Sequence, residues 1–119
     1  MAQLFEDLQV WQKARVLTRW VYTITKSGPL SMDFGLKDQL QRASVSVMAN
    51  IAEGFERSGQ NEYRHFLTIA KGSCGEVRSL LYIVIDNGYF SEQEIQKIQN
   101  ESIQISKMLS ALINKLKNG

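Results

Sequence analysis

Apolar residues recur at helical spacing in four stretches of roughly 20 to 28 residues, long enough for helices of about 30–40 Å. Breakers separate them at Ser27-Gly28-Pro29, Ser58-Gly59 and Asn87-Gly88. The fourth stretch is the clearest: Ile95, Ile98, Ser102, Ile105, Leu109, Leu112 and Leu116 follow in alternating steps of three and four. That is the seam spacing of a shallow helix crossing, with one narrow buried face. Ser91-Glu92-Gln93-Glu94 ahead of it fits a reciprocal N-terminal cap. Asn87-Gly88 suits the left-handed stop of the helix before it.

The first stretch places Leu4, Leu8, Trp11, Ala14, Leu17, Val21 and Ile24 on one arc, with Val16 and Trp20 on its flank. The third buries Tyr63, Phe66, Leu67, Ala70, Cys74, Val77, Leu81 and Val84 on the same reasoning. The pattern predicts helices over about 6–26, 33–57, 60–87 and 91–117. They compose one domain spanning 1–119, an all-α, antiparallel up-down-up-down four-helix bundle.

The second stretch carries more apolar surface than a bundle helix needs. Leu36, Leu40, Ala43, Val47 and Ile51 form the expected stripe, but Phe34, Val45, Met48, Ala52 and Phe55 widen it. A single core asks for an apolar face of only about 100° or slightly more. The excess predicts a subunit interface through Val45, Met48 and Phe55, with Trp20 as a further candidate contact.

Composition narrows the classes without naming an activity. The 119 residues include one Pro and one Cys, are 44% hydrophobic and 22% charged, and carry a net +2. Disorder and a Cys-cluster metal site are excluded, and the lone Cys74 suits a reducing compartment. No run approaches the ~20 apolar residues of a membrane span, and the N-terminus lacks a secretory pattern. The expectation is a soluble, cytoplasmic protein.

Beside the apolar arc of the second stretch runs a polar row, Gln39, Arg42, Ser46, Asn50, Glu53 and Arg57. If Ser58-Gly59 reverses the chain, Arg42 comes level with Glu76 and Glu53 with Arg64. Two interhelical ion pairs are therefore expected. On the third stretch Arg64, Lys71 and Arg78 stand at steps of seven, a basic row suited to tracking phosphates. Gly72 and Gly75 lie in the same helix, where two glycines cost roughly 2 kcal/mol relative to alanine. Close helix approach is the expected compensation, since the longer frame of a phosphate-binding loop is missing.

Catalysis finds little support. Glu62-Tyr63-Arg64-His65 matches one half of a di-iron repeat, but His65 is the only histidine. His65 and Cys74 are nine residues apart, on opposite sides of one helix, and so cannot act as base and nucleophile within one chain. No catalytic residue, metal or cofactor is assigned.

Phe5-Glu6-Asp7-Leu8-Gln9-Val10-Trp11-Gln12-Lys13-Ala14, Phe34-Gly35-Leu36 with Gln39-Leu40-Gln41-Arg42-Ala43, Asn50-Ile51-Ala52-Glu53-Gly54, and Phe66-Leu67-Thr68-Ile69-Ala70-Lys71-Gly72-Ser73 with Glu76 carry a resemblance. In this order they resemble the four-helix-bundle proteins read from intervening sequences of bacterial 23S ribosomal RNA genes. The resemblance implies a bacterial source and a homopentameric ring. It also implies kinship with the accessory variability protein of diversity-generating retroelements, whose pentamer engages a reverse transcriptase and nucleic acid. By position, Gln39, Arg42, Asn50, Glu53, Gly54, Ser73 and Glu76 match the family's signature, read as determinants of packing and assembly. Two functions follow as expectations. One is a non-enzymatic ring that presents Arg64, Lys71 and Arg78 to RNA or a ribonucleoprotein. The other is a protein-binding scaffold with no nucleic-acid role.

Overall fold

The computed structural model describes residues 2–118. Four helices pack side by side: α1 Gln9–Thr25, α2 Phe34–Glu56, α3 Gln60–Asp86 and α4 Glu92–Asn118. Among the described residues there is no strand. The two long helices account for the longest dimension, 45 Å in a body 45 × 20 × 19 Å, at 1.5 Å of rise per residue.

Local chemistry explains each boundary. The first helix starts later than the periodicity predicts, because Asp7 Oδ2 accepts from the backbone amides of Gln3 and Leu4 at 3.3 and 3.2 Å. The chain closes a 3-10 turn over Phe5–Asp7, and Leu8 is extended, so α1 begins at Gln9. A second 3-10 turn, Gly28–Met32, tucks Leu30 fully into the core. Asp33 Oδ1 then caps α2, accepting from Leu36 N at 3.3 Å. Its other oxygen accepts from the Tyr89 hydroxyl at 2.9 Å, which ties the turn after α3 to the start of α2.

The third break behaves as expected. Gly88 sits at φ +70, its amide bonds to Ile85 O at 2.9 Å and the Tyr89 amide to Val84 O at 3.1 Å. Those are the two hydrogen bonds of a Schellman stop. The cap on α4 is reciprocal, Ser91 N to Glu94 Oε1 at 2.9 Å and Glu94 N to Ser91 Oγ at 3.1 Å.

The core draws on all four helices. Ala14, Leu17 and Val21 of α1, Leu40, Val47 and Ile51 of α2, Leu67, Val77 and Leu81 of α3, and Ile95, Ile105 and Leu109 of α4 are fully buried. The helices pack as α1–α2, α2–α3, α3–α4 and α1–α4, with α2–α3 the most extensive pair. Among the described residues Thr25, Ser44 and Ser102 are the buried polar ones, and each hydroxyl donates to a carbonyl one turn back. Among the described residues no buried side-chain nitrogen or oxygen lacks a partner. Cross-helix bonds fix which levels meet. Thr18 Oγ1 contacts Ser44 O at 3.0 Å, Gln41 Nε2 donates to Thr25 Oγ1 at 3.0 Å, and Lys13 Nζ donates to Gln104 Oε1 at 2.8 Å. Lys97 Nζ lies 4.5 Å from the Trp20 ring centroid, so α4 partly covers that half-buried indole.

Candidate nucleic-acid interface

The two sides of α3 differ in kind. Toward α2 the contact is built from short side chains. Ser46 and Ser73 share a hydroxyl hydrogen bond of 2.8 Å, and Asn50 Nδ2 donates to Ser46 O and Oγ at 2.8 and 2.9 Å. Gly54 is buried where an added Cβ would stand 2.9 Å from Phe66 Cβ and 3.2 Å from Tyr63 O, so only glycine admits this approach. Asn50, Gly54 and Ser73 are thus packing elements of the α2–α3 seam.

The two expected interhelical ion pairs do not form. Arg42 Nε pairs instead with Asp38 Oδ2 at 2.9 Å, and Glu53 Oε1 with Arg57 at 2.9 Å, each one turn away on its own helix. Arg64 Nη2 donates to Asn61 Oδ1 at 3.3 Å, and Glu76 is exposed without a carboxylate–cation pair among the described residues. The expected levels are right, as Ser46 meeting Ser73 shows. The azimuth is wrong: Arg42 and Glu53, like Gln39, lie on the exposed side of α2 rather than over the seam. Arg57 extends its own pair, reaching Glu62 Oε2 at 3.5 Å and lying 5.0 Å from the Phe66 ring centroid.

A second correction concerns the glycines of α3. Among the described residues nothing outside α3's own backbone lies within 4 Å of a Cβ placed at Gly72 or Gly75, so no other helix approaches closely there. The close approach is at Gly54.

Toward α4 the surface opens. Lys71 and Arg78 of α3 face Ile103, Ser106, Lys107 and Ser110 of α4 across an open groove of about 500 Å³. The α4 residues follow at steps of three, one and three, which puts them on one face. Among the described residues none of Lys71, Arg78 and Lys107 is within ion-pair distance of a carboxylate. Long cations with no internal partner and two hydroxyls can donate to phosphate oxygens. Arg64 is not in this groove. It lies two turns before Lys71 along α3, about 10 Å at 1.5 Å per residue, and its guanidinium bonds to Asn61 on its own helix. Lys107 is the member that the α3 row by itself does not reveal.

Beneath the groove, the Cys74 thiol is buried and donates to Ser102 O at 3.0 Å. Burial pushes its pKa up to about 11, against the opposing pull of Arg78. His65 is exposed and edge-on to Phe66, with ring centroids 5.7 Å apart. On α2, Phe34 is 67% and Val45 41% exposed, while Met48 and Phe55 are half-buried, Phe55 edge-on to Tyr63. No helix among the described residues is long and apolar enough to cross a membrane.

Comparison with known proteins places this architecture. A search of curated proteins finds no match. A solved protein of unknown function from the S23 ribosomal protein family of Bacteroides thetaiotaomicron superposes with a TM-score of 0.80. It shares 23% identity over 87% of this chain and 97% of its own length, a likeness of fold. The family model described as 23S rRNA-intervening sequence protein matches residues 6–111. With that match over most of its length, the chain belongs to the 23S rRNA-intervening sequence protein family.

Proposed function

We propose that this protein is a non-enzymatic, cytoplasmic assembly protein that presents the α3–α4 groove to RNA or a ribonucleoprotein. The observation that carries the reading is the convergence of Lys71, Arg78 and Lys107 on one open groove with no carboxylate partner among the described residues. Phosphate recognition needs cations in register and unneutralised, and this groove has both properties. The bundle is read as antiparallel, up-down-up-down. Supporting this, higher numbers on one helix meet lower numbers on the next, as Thr18 with Ser44 and Gln41 with Thr25.

The assembly is read as a homopentameric ring, with the outer face of α2 between copies. Exposed Phe34 and Val45 beside half-buried Met48 and Phe55 supply the apolar surface that a neighbouring copy would cover. Five copies of a +2 chain carry +10, and five aligned grooves multiply a weak contact into avidity. Titrating labelled RNA between about 50 and 200 mM salt tests the function, because charge-led binding falls steeply over that range. Light scattering tests the assembly, and a monodisperse 13.6 kDa species would overturn it.

A protein-binding scaffold is the competing reading. It is favoured by another, mostly apolar concavity between α1 and α4, lined by Leu8, Val10, Met108, Ala111 and Leu112 with Gln9 and Lys115. Absence of RNA binding at low salt would favour it.

A further inference from the structure

The basic groove does not end at Arg78. A second, smaller concavity of about 210 Å³ continues it, sharing Arg78 and Ile103 and adding Tyr82, Glu92, Gln96 and Gln99. Tyr82 is 61% exposed, one turn beyond Arg78 on the same side of α3. Among the described residues its ring stacks on no other aromatic, and its hydroxyl has no hydrogen-bond partner there. The surface therefore changes character along α3, over about 16 Å from Lys71 to Tyr82 at 1.5 Å per residue. At one end Lys71 and Lys107 offer positive charge, at the other Tyr82 offers a bare π-face beside the Glu92 carboxylate and two amides.

We infer that the groove takes single-stranded RNA, with phosphates over Lys71, Arg78 and Lys107 and an unpaired base stacked on Tyr82. This rests on the RNA reading above and specifies the form of RNA. Glu92 repels a phosphate at the Tyr82 end, so what is held there must be the uncharged part of a nucleotide. A duplex keeps its base faces inside its own stack, whereas a single strand splays them out. Stacking on tyrosine is tolerant of sequence, because every base has a π-face.

The test is fluorescence anisotropy at about 50 mM salt with a labelled oligo-adenylate of about 12 nucleotides and a blunt RNA duplex of equal length. The single strand should bind more tightly. Tyr82→Leu should weaken it about tenfold, Tyr82→Trp should retain it, and neither should change duplex binding. Circular dichroism confirms that each exposed-site variant is folded. Equal affinity for both RNAs, or no loss in Tyr82→Leu, would overturn the stacking role. The basic-groove reading would then survive only if Lys71→Gln, Arg78→Gln and Lys107→Gln together still weaken binding and flatten its salt dependence. No binding of either RNA by the parent protein would overturn both.

Discussion

The two flanks of α3 use polar residues for opposite ends. On the α2 side they are short, and they satisfy one another: Ser46 with Ser73, Asn50 with Ser46, and Gly54 letting Phe66 and Tyr63 close in. On the α4 side Lys71, Arg78 and Lys107 are long and have no carboxylate partner among the described residues, and the helices leave a groove between them. Small groups with their hydrogen bonds made permit a tight seam, while like charges facing each other oppose one. A polar residue on this fold is thus a packing element or an available contact according to the helix it faces.

Substitutions that exchange the characters of the two flanks sharpen this contrast. Gly54→Val has the largest expected effect, a loss of about 3 kcal/mol from overpacking against Phe66 and Tyr63, read by urea unfolding. An unchanged midpoint would mean the seam is loose. Next is the Cys74 thiol, buried between the two flanks. Its folded pKa is raised from 9.0 to about 11, so the native state holds the proton longer than the unfolded chain does. The contribution is intact below pH 9 and is lost as pH rises to about 11, amounting to about 3 kcal/mol. Comparing the alkaline slopes of stability for the parent and Cys74→Ala isolates it.

Ser46→Ala should cost about 1 kcal/mol, because Ser73 and Asn50 each lose a hydroxyl partner in the seam. The double variant with Ser73→Ala should cost less than the two single losses combined, and strict additivity in a double-mutant cycle would deny the coupling. Gly72→Ala and Gly75→Ala, on the open side, should each gain about 0.5–1 kcal/mol in thermal unfolding, since a methyl there meets no other helix among the described residues. A loss of assembly in those variants, seen by light scattering, would instead locate another copy at that surface. Smallest in stability is the combined Lys71→Gln, Arg78→Gln and Lys107→Gln, within about 0.5 kcal/mol of the parent. Its salt slope for RNA should flatten by about 2, because each phosphate that is no longer neutralised takes away about 0.7.

Much of this architecture was legible along the chain, wherever the signal is local or repeats with the helix. The Ser91–Glu94 cap and the Gly88 stop are made by neighbours a few residues apart, and both appear as expected. The α4 seam buries Ile95, Ile98, Ser102, Ile105 and Leu109 as its spacing implies. Where a side chain competes with the backbone, periodicity misleads, and Asp7 delays α1 in that way. The missed Lys107 had a signal: taking the Asn87-Gly88 turn as a mirror brings Lys71 level with Gln104, within one helical turn of Lys107. The uniform Gln, Asn, Lys, Glu and Ser of outer α4 hid which polar face meets α3.

The amino-acid order alone therefore determined four helices, their caps, most of the core and the membership of a family. Those depend on short-range hydrogen bonds and on burying an apolar stripe, which any helix of this pattern must do. Rotation about each helix axis was decided only by packing. A turn of some tens of degrees separates Arg42 facing Glu76 from Arg42 paired with Asp38. That angle is set by how side chains from two helices interlock, a property of the pair that neither helix carries by itself.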